Sequence, residues 1–260
     1  MALADFRIEP FSHAGITHDV YFAGDGPCVL VAAEIPGITP EVIRFAEDLL
    51  AAGFSVAMPS MFGTPGKDPT TGRITRTLAR ACISAEFHAM ATRDSSKATE
   101  WLRGLARKLH AECRGPGIGF VGMCFTGGFG LAMLLDDAVI APVLSQPTLP
   151  FPIGGKRRAN TGLDEQQLTA VAQRAAEGCA VLGLRFTGDP MVPAERFATL
   201  REALGENFIG VEIQSPDPDH GISKNAHSVL TEERSDTPGH PTKESFEQVV
   251  AFLRERLFGN

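Results

Sequence analysis

Short apolar runs that alternate with longer segments of helical period narrow the folds open to this chain more than any other feature. Cys28-Val-Leu-Val-Ala-Ala, Phe54-Ser-Val-Ala-Met, Gly117-Ile-Gly-Phe-Val, Ala138-Val-Ile-Ala-Pro-Val and Ala180-Val-Leu-Gly-Leu-Arg-Phe are apolar on both faces. A strand with no polar face must be covered on both sides, and parallel strands need crossovers long enough to hold a helix. The segments between them supply those helices. Val42, Ile43, Ala46, Leu49 and Leu50 form a stripe after Pro40, with Gly53 as the stop. Trp101, Leu102, Leu105 and Leu109 form a second stripe, Phe197, Leu200 and Leu204 a third after Pro193, and Phe246, Val249, Val250, Leu253 and Leu257 a fourth. Residues 5–10 and 18–23 read as an antiparallel pair at the sheet edge. The expectation is an α/β fold: one domain over residues 1–260, with a mostly parallel sheet of about eight strands and helices on both faces. Residues 62–74 and 215–241 are rich in Gly, Pro and polar residues, and are expected as long binding or lid loops.

Charge and cysteine usage exclude several classes of function. The formal charge of −7 comes with scattered Lys and Arg, so the chain carries no basic patch for nucleic acid or an anionic membrane. The segment beginning Met1-Ala-Leu-Ala-Asp has no basic stretch followed by an apolar core, and no run of about 18 apolar residues occurs. A cytoplasmic, soluble protein is expected. Five cysteines with no Cys-x-x-Cys pair suit neither a disulfide framework nor a zinc site, and the odd number leaves at least one thiol free. Cys82, Cys113 and Cys179 read as small packing residues.

Cys124 stands apart. It lies in Gly117-Ile-Gly-Phe-Val-Gly-Met-Cys-Phe-Thr-Gly-Gly, where an apolar strand turns within a few residues toward an apolar helix expected at 129–135. Such a turn strains the backbone at its apex and lifts the reactive atom clear of the sheet, and flanking glycines relieve the crowding. A thiol at a helix start, next to an imidazole, is favoured as thiolate over its reference pKa of about 8.5.

With these residues in view, the sequence resembles the dienelactone hydrolase family, cysteine hydrolases of the α/β-hydrolase fold, over most of the chain. Val31-Ala-Ala-Glu-Ile-Pro-Gly is similar to the family segment in which a glutamate, here Glu34, precedes an oxyanion-hole residue, here Ile35. Gly122-Met-Cys-Phe-Thr-Gly-Gly resembles the family elbow, Gly188-Asp-Pro-Met-Val-Pro-Ala the turn bearing the acid, and Ala226-His-Ser-Val-Leu the segment bearing the histidine. The resemblance therefore implies Cys124, Asp189 and His227 as the triad, Glu34 as a group that controls the cysteine's protonation, and backbone N–H groups of Ile35 and Phe125 as the oxyanion hole. Other readings stand beside these roles. Asp189 also suits a helix cap, Glu34 an exposed loop carboxylate, and His220 in Pro216-Asp-Pro-Asp-His-Gly competes with His227 for the role of base. His13, His18, His88, His110 and His240 read as surface or packing residues.

Two positions depart from the family pattern. Thr126 stands where the elbow usually has glycine, and Thr231 where the well-known dienelactone enzymes place an arginine for the substrate carboxylate. Arg234, Arg76 and Arg80 are the remaining cations that could serve. The expected activity is cleavage of a small-molecule ester or lactone through an acyl-enzyme, with no metal or organic cofactor and no nucleic acid or membrane partner. The alternatives are an acyltransferase or broad carboxylesterase on the same fold, or a non-catalytic small-molecule-binding homologue. The sequence leaves the oligomeric state undetermined.

Overall fold

Side chains on successive strand residues point to opposite faces, and this two-residue period assigns the core residues to layers. The computed structural model describes residues 3–83 and 97–259. His88 lies outside them, as do the side chains of Arg80 and Cys82. Eight strands form one sheet: β1 Arg7–His13, β2 Ile16–Ala23, β3 Pro27–Ala32, β4 Ser55–Pro59, β5 Arg114–Met123, β6 Val139–Ser145, β7 Val181–Phe186 and β8 Phe208–Ile213. Their order is β1-β2-β4-β3-β5-β6-β7-β8. β3 to β8 are mutually parallel, whereas β1 and β2 pair antiparallel with each other and β2 pairs antiparallel with β4.

Val29 and Val31 of β3, Val121 of β5 and Leu182 and Leu184 of β7 pack on one face, against helices α1 (Pro40–Ala51) and α6 (Pro241–Leu257). Cys28, Leu30 and Ala32 of β3 and Phe120 of β5 enter the other face with Trp101, Leu102, Leu105 and Leu109 of helix α3 (Lys97–Glu112). Further along that face, helices α4 (Glu165–Ala176) and α5 (Ala194–Leu204) cover Leu144 and Val181. Helix α2 (Thr71–Ile83) follows the first long loop. Local chemistry starts these helices as expected: Thr39 Oγ1 accepts from the Val42 N–H at 3.3 Å, with Pro40 in the first turn.

Two local expectations needed correction, and two elements had not been expected. Residues 129–135 do not form one helix. A 3-10 turn, Thr126–Phe129, runs into a single α-turn, Gly130–Met133. The long loop from residue 62 gives way to α2 at Thr71, short of its expected end. β8 and α4 carry no strong sequence signal. β8 interrupts its apolar pattern with Gly210 and Glu212 because an edge strand has one unpaired side and leaves part of its surface wet. α4 is announced by its capping box, in which Asp164 and Gln167 satisfy each other's backbone N–H groups.

Candidate active site

In a parallel sheet all carboxyl ends lie at one edge, so residues distant in sequence converge there. Glu34 and Ile35 follow β3, Cys124 follows β5, Gln146 and Thr148 follow β6, Asp189 follows β7, and His227 lies in the long segment beyond β8. Cys124 is the apex of the β5 turn, with φ of 52°, a left-handed conformation that a residue with a side chain rarely adopts. The strain is held by close packing on both sides. Its N–H donates to Ser145 O at 2.9 Å, and its carbonyl accepts from the Thr148 N–H at 3.0 Å. A Cβ at position 122 would lie 2.5 Å from Thr126 O, so the strand must carry glycine there for the turn to close over it.

Thr126 does not crowd the crossing. Its fully buried hydroxyl donates to Ala32 O at 2.6 Å and accepts from the Met123 N–H at 2.9 Å, which pins the elbow to the end of β3. The branched side chain supplies two hydrogen bonds that glycine could not.

His227 Nδ1 donates to Asp189 Oδ2 at 2.6 Å, and the other Asp189 oxygen accepts from the Met191 N–H at 2.9 Å. Asp189 therefore orders its own turn and the imidazole at once, while α5 starts at Ala194 without a side-chain cap. Burial on its own would lower the His227 pKa. The hydrogen bond to Asp189, and then the hydrogen bond and charge of Cys124, outweigh burial and push it up to about 11. The Cys124 sulfur, a ring nitrogen of His227 and a carboxylate oxygen of Glu34 lie within 4.8 Å of one another. This donor set would also suit a thiophilic cation.

Glu34 is buried, at 5% exposure, so the reading of it as an exposed loop carboxylate is corrected. Its Oε2 accepts from Ser228 Oγ at 2.6 Å and from Gln146 Nε2 at 3.3 Å, and its Oε1 accepts from the Thr231 hydroxyl. Sequence reasoning missed the roles of Gln146, Thr148 and Ser228. The signal for Ser228 was its place directly after His227; Gln146 and Thr148 had none beyond following a buried strand. Thr148 Oγ1 lies 3.4 Å from the Cys124 sulfur. Thr231, the position that departs from the family arginine, turns its hydroxyl to Glu34.

The remaining candidates lie elsewhere. His220 Nδ1 pairs with Asp217 at 2.7 Å and its ring packs on His240, so it is tied to its own loop. Arg234 is 7% exposed, pairs with Asp48 at 2.7 Å and stacks 3.9 Å over Phe246, which removes it as a substrate cation. Arg76 is exposed on α2. Beside the sulfur, Phe125 meets Phe62, Phe129 and Phe151 edge-on at ring separations of 5.7, 6.0 and 6.3 Å, with Ile35 in the same apolar cluster. The site can thus present a strained thiol, a charged imidazole and an apolar wall to one bound molecule.

A strained turn on the central strand of such a sheet, followed along the chain by the acid and then the histidine, is the architecture of the α/β-hydrolases. The dienelactone hydrolase family model matches residues 20–257, and the chain belongs to that family, as a hydrolase acting on ester or lactone bonds. The solved structures agree with this fold. A dienelactone hydrolase from Anabaena variabilis has a TM-score of 0.60 at 15% identity, covering 97% of this chain and 98% of its own. A dienelactone hydrolase-like promiscuous phosphotriesterase from metagenomic libraries gives 0.60 at 16% identity, covering 97% and 98%. An esterase of Pyrococcus furiosus gives 0.59 at 12% identity, covering 99% and 95%. No curated protein matches the sequence. Among the described residues no helix is long and apolar enough to cross a membrane.

Proposed function

We propose that the chain, as one domain, cleaves small esters or lactones with Cys124 as nucleophile and a covalent acyl-enzyme as intermediate. The observation that carries this is the ordered contact from Asp189 through His227 to the sulfur, with that sulfur on a residue held at positive φ. Cys124 as thiolate adds to the substrate carbonyl, and backbone N–H groups of Ile35 and Phe125 hold the resulting oxyanion. His227, charged while Asp189 holds Nδ1–H, gives its Nε2 proton to the leaving alkoxide as the C–O bond breaks. Neutral His227 then takes a proton from water. Hydroxide adds to the thioester, and collapse expels the thiolate with the free acid. Glu34, fixed by Ser228, Thr231 and Gln146, sits close enough to the sulfur to oppose its charge in the resting state, which sharpens the response to bound substrate.

The substrate class follows from what surrounds the sulfur. Phe62, Phe125 and Phe151 favour an apolar acyl or alcohol part, and Thr231 and Arg234 are engaged by Glu34 and Asp48, so neither serves a substrate carboxylate. Neutral esters are therefore the preferred substrates. A reducing cytoplasm suits this half-buried free thiol. A chromogenic neutral ester assayed with wild type and Cys124→Ala, together with intact mass of the quenched reaction, tests the proposal. Loss of about 10³-fold or more in rate, with an acyl adduct on wild type alone, is expected. Equal rates would reject it.

A further inference from the structure

A second sulfur cluster lies at the opposite, amino-terminal edge of the sheet, outside the triad. Cys28 of β3 stands in register with Ser55 of β4, and β5 enters beside them with Arg114 facing Pro27, which brings Cys113 against Cys28. Ser55 Oγ donates to Gly26 O at 2.8 Å and lies 3.8 Å from the Cys113 sulfur. Cys28 is buried and Cys113 half-buried, and both line a cavity of about 310 Å³ together with Arg7, Gly24, Ser55 and Arg114. The cavity opens the sulfur pair to small molecules.

The chemistry of the two thiols is asymmetric. A hydrogen bond from Cys28 is the main influence on Cys113 and, with help from Ser55 and Lys108, brings its thiol down to about 6 against burial and Glu112. The same hydrogen bond and its own burial push Cys28 up. The thiolate therefore forms more readily on Cys113 than on Cys28. Local pattern assigned Cys113 only a packing role, because proximity to Cys28 arises from strand pairing across more than eighty positions.

We propose that Cys113 and Cys28 form a second nucleophilic site, in which Cys113 reacts with hydroperoxides that enter the cavity and Cys28 resolves the product to an intramolecular disulfide. The Cys113 sulfur attacks the terminal peroxide oxygen, an S–O bond forms, the O–O bond breaks, and the alkoxide or hydroxide leaves and takes a proton. Cys28 then attacks the sulfenic sulfur. The S–S bond forms, the S–O bond breaks, and water leaves with the Cys28 proton. Two thiols are oxidised to one disulfide, and one hydroperoxide is reduced to an alcohol, or to water, with release of a further water. β5 spans ten residues between the two edges, roughly 30 Å at ~3.3 Å per residue, so this oxidation leaves ester turnover in place.

The test treats the full-length Cys124→Ala chain with one equivalent of hydrogen peroxide and maps the peptides by mass. A Cys28–Cys113 disulfide, lighter by two hydrogens and reversed by dithiothreitol, is expected, formed at least tenfold faster than Cys179 is oxidised. Adding Cys28→Ala should leave Cys113 as a sulfenic acid that dimedone traps. Oxidation of Cys113 no faster than Cys179, or oxidation without a bond to Cys28 in the chain that retains both, would overturn the proposal. If the Cys28 variant fails to fold, the rate and peptide map of the Cys28–Cys113 disulfide in the Cys124→Ala chain decide the question alone.

Discussion

At the residue scale, the imidazole sets the pH behaviour. His227 is held charged by Asp189 and the sulfur up to about 11, so in the proposed cycle the proton for the leaving group is present across neutral pH. The rate should stay level through neutrality and fall on the alkaline side as that proton is lost. Asp189→Asn removes the first of the raising contacts; the alkaline fall should move toward neutral pH, with a rate lower by on the order of 10²–10⁴-fold, read from kcat/KM against pH. An unmoved alkaline limb would mean that Asp189 does not govern this proton. Thr126 makes a separate prediction. Thr126→Val keeps the shape but leaves the Ala32 carbonyl and the Met123 N–H without their buried partner, so stability should drop by about 1–3 kcal/mol in a denaturant melt. The glycine favoured in the family would have made neither bond, and no local sequence rule shows a hydroxyl reaching across to β3.

At the element scale, the elbow depends on how closely β5 and the following turn approach. Gly122→Ala places a methyl 2.5 Å from Thr126 O, a backbone atom that moves only with the turn. The variant should lose about 1–3 kcal/mol in stability by the cost of overpacking and most of its ester turnover, because Cys124 must move with the turn. Retained activity at wild-type level would show that the apex tolerates displacement. The strand itself was legible, since Ile118 to Val121 is an uninterrupted buried run, but the helix expected after it was not formed. Gly127, Gly128 and Gly130 give a 3-10 turn and a single α-turn, so the macrodipole available to the sulfur is small.

At the scale of the whole molecule, His227 also couples folding to pH. Its pKa in the fold, about 11, exceeds the value of about 6.5 in an unfolded chain, so the stability it contributes is complete below about pH 6.5 and is lost as pH rises toward 11. The melting temperature of wild type relative to His227→Gln should therefore shrink between neutral and alkaline pH, and a gap that widens would contradict the assigned sign. The sequence alone determined the layered α/β class, because buried strands with no polar face require helices on both sides, and it marked Cys124 because glycines around a strand end have few other uses. It could also name Glu34, Asp189 and His227 by resemblance to a family. Only the tertiary structure decided that Glu34 rests on Ser228, Thr231 and Gln146, that His220 and Arg234 are engaged elsewhere, and that Cys28 meets Cys113. Those contacts join residues far apart along the chain, and they exist only once parallel strands have brought their ends to common edges.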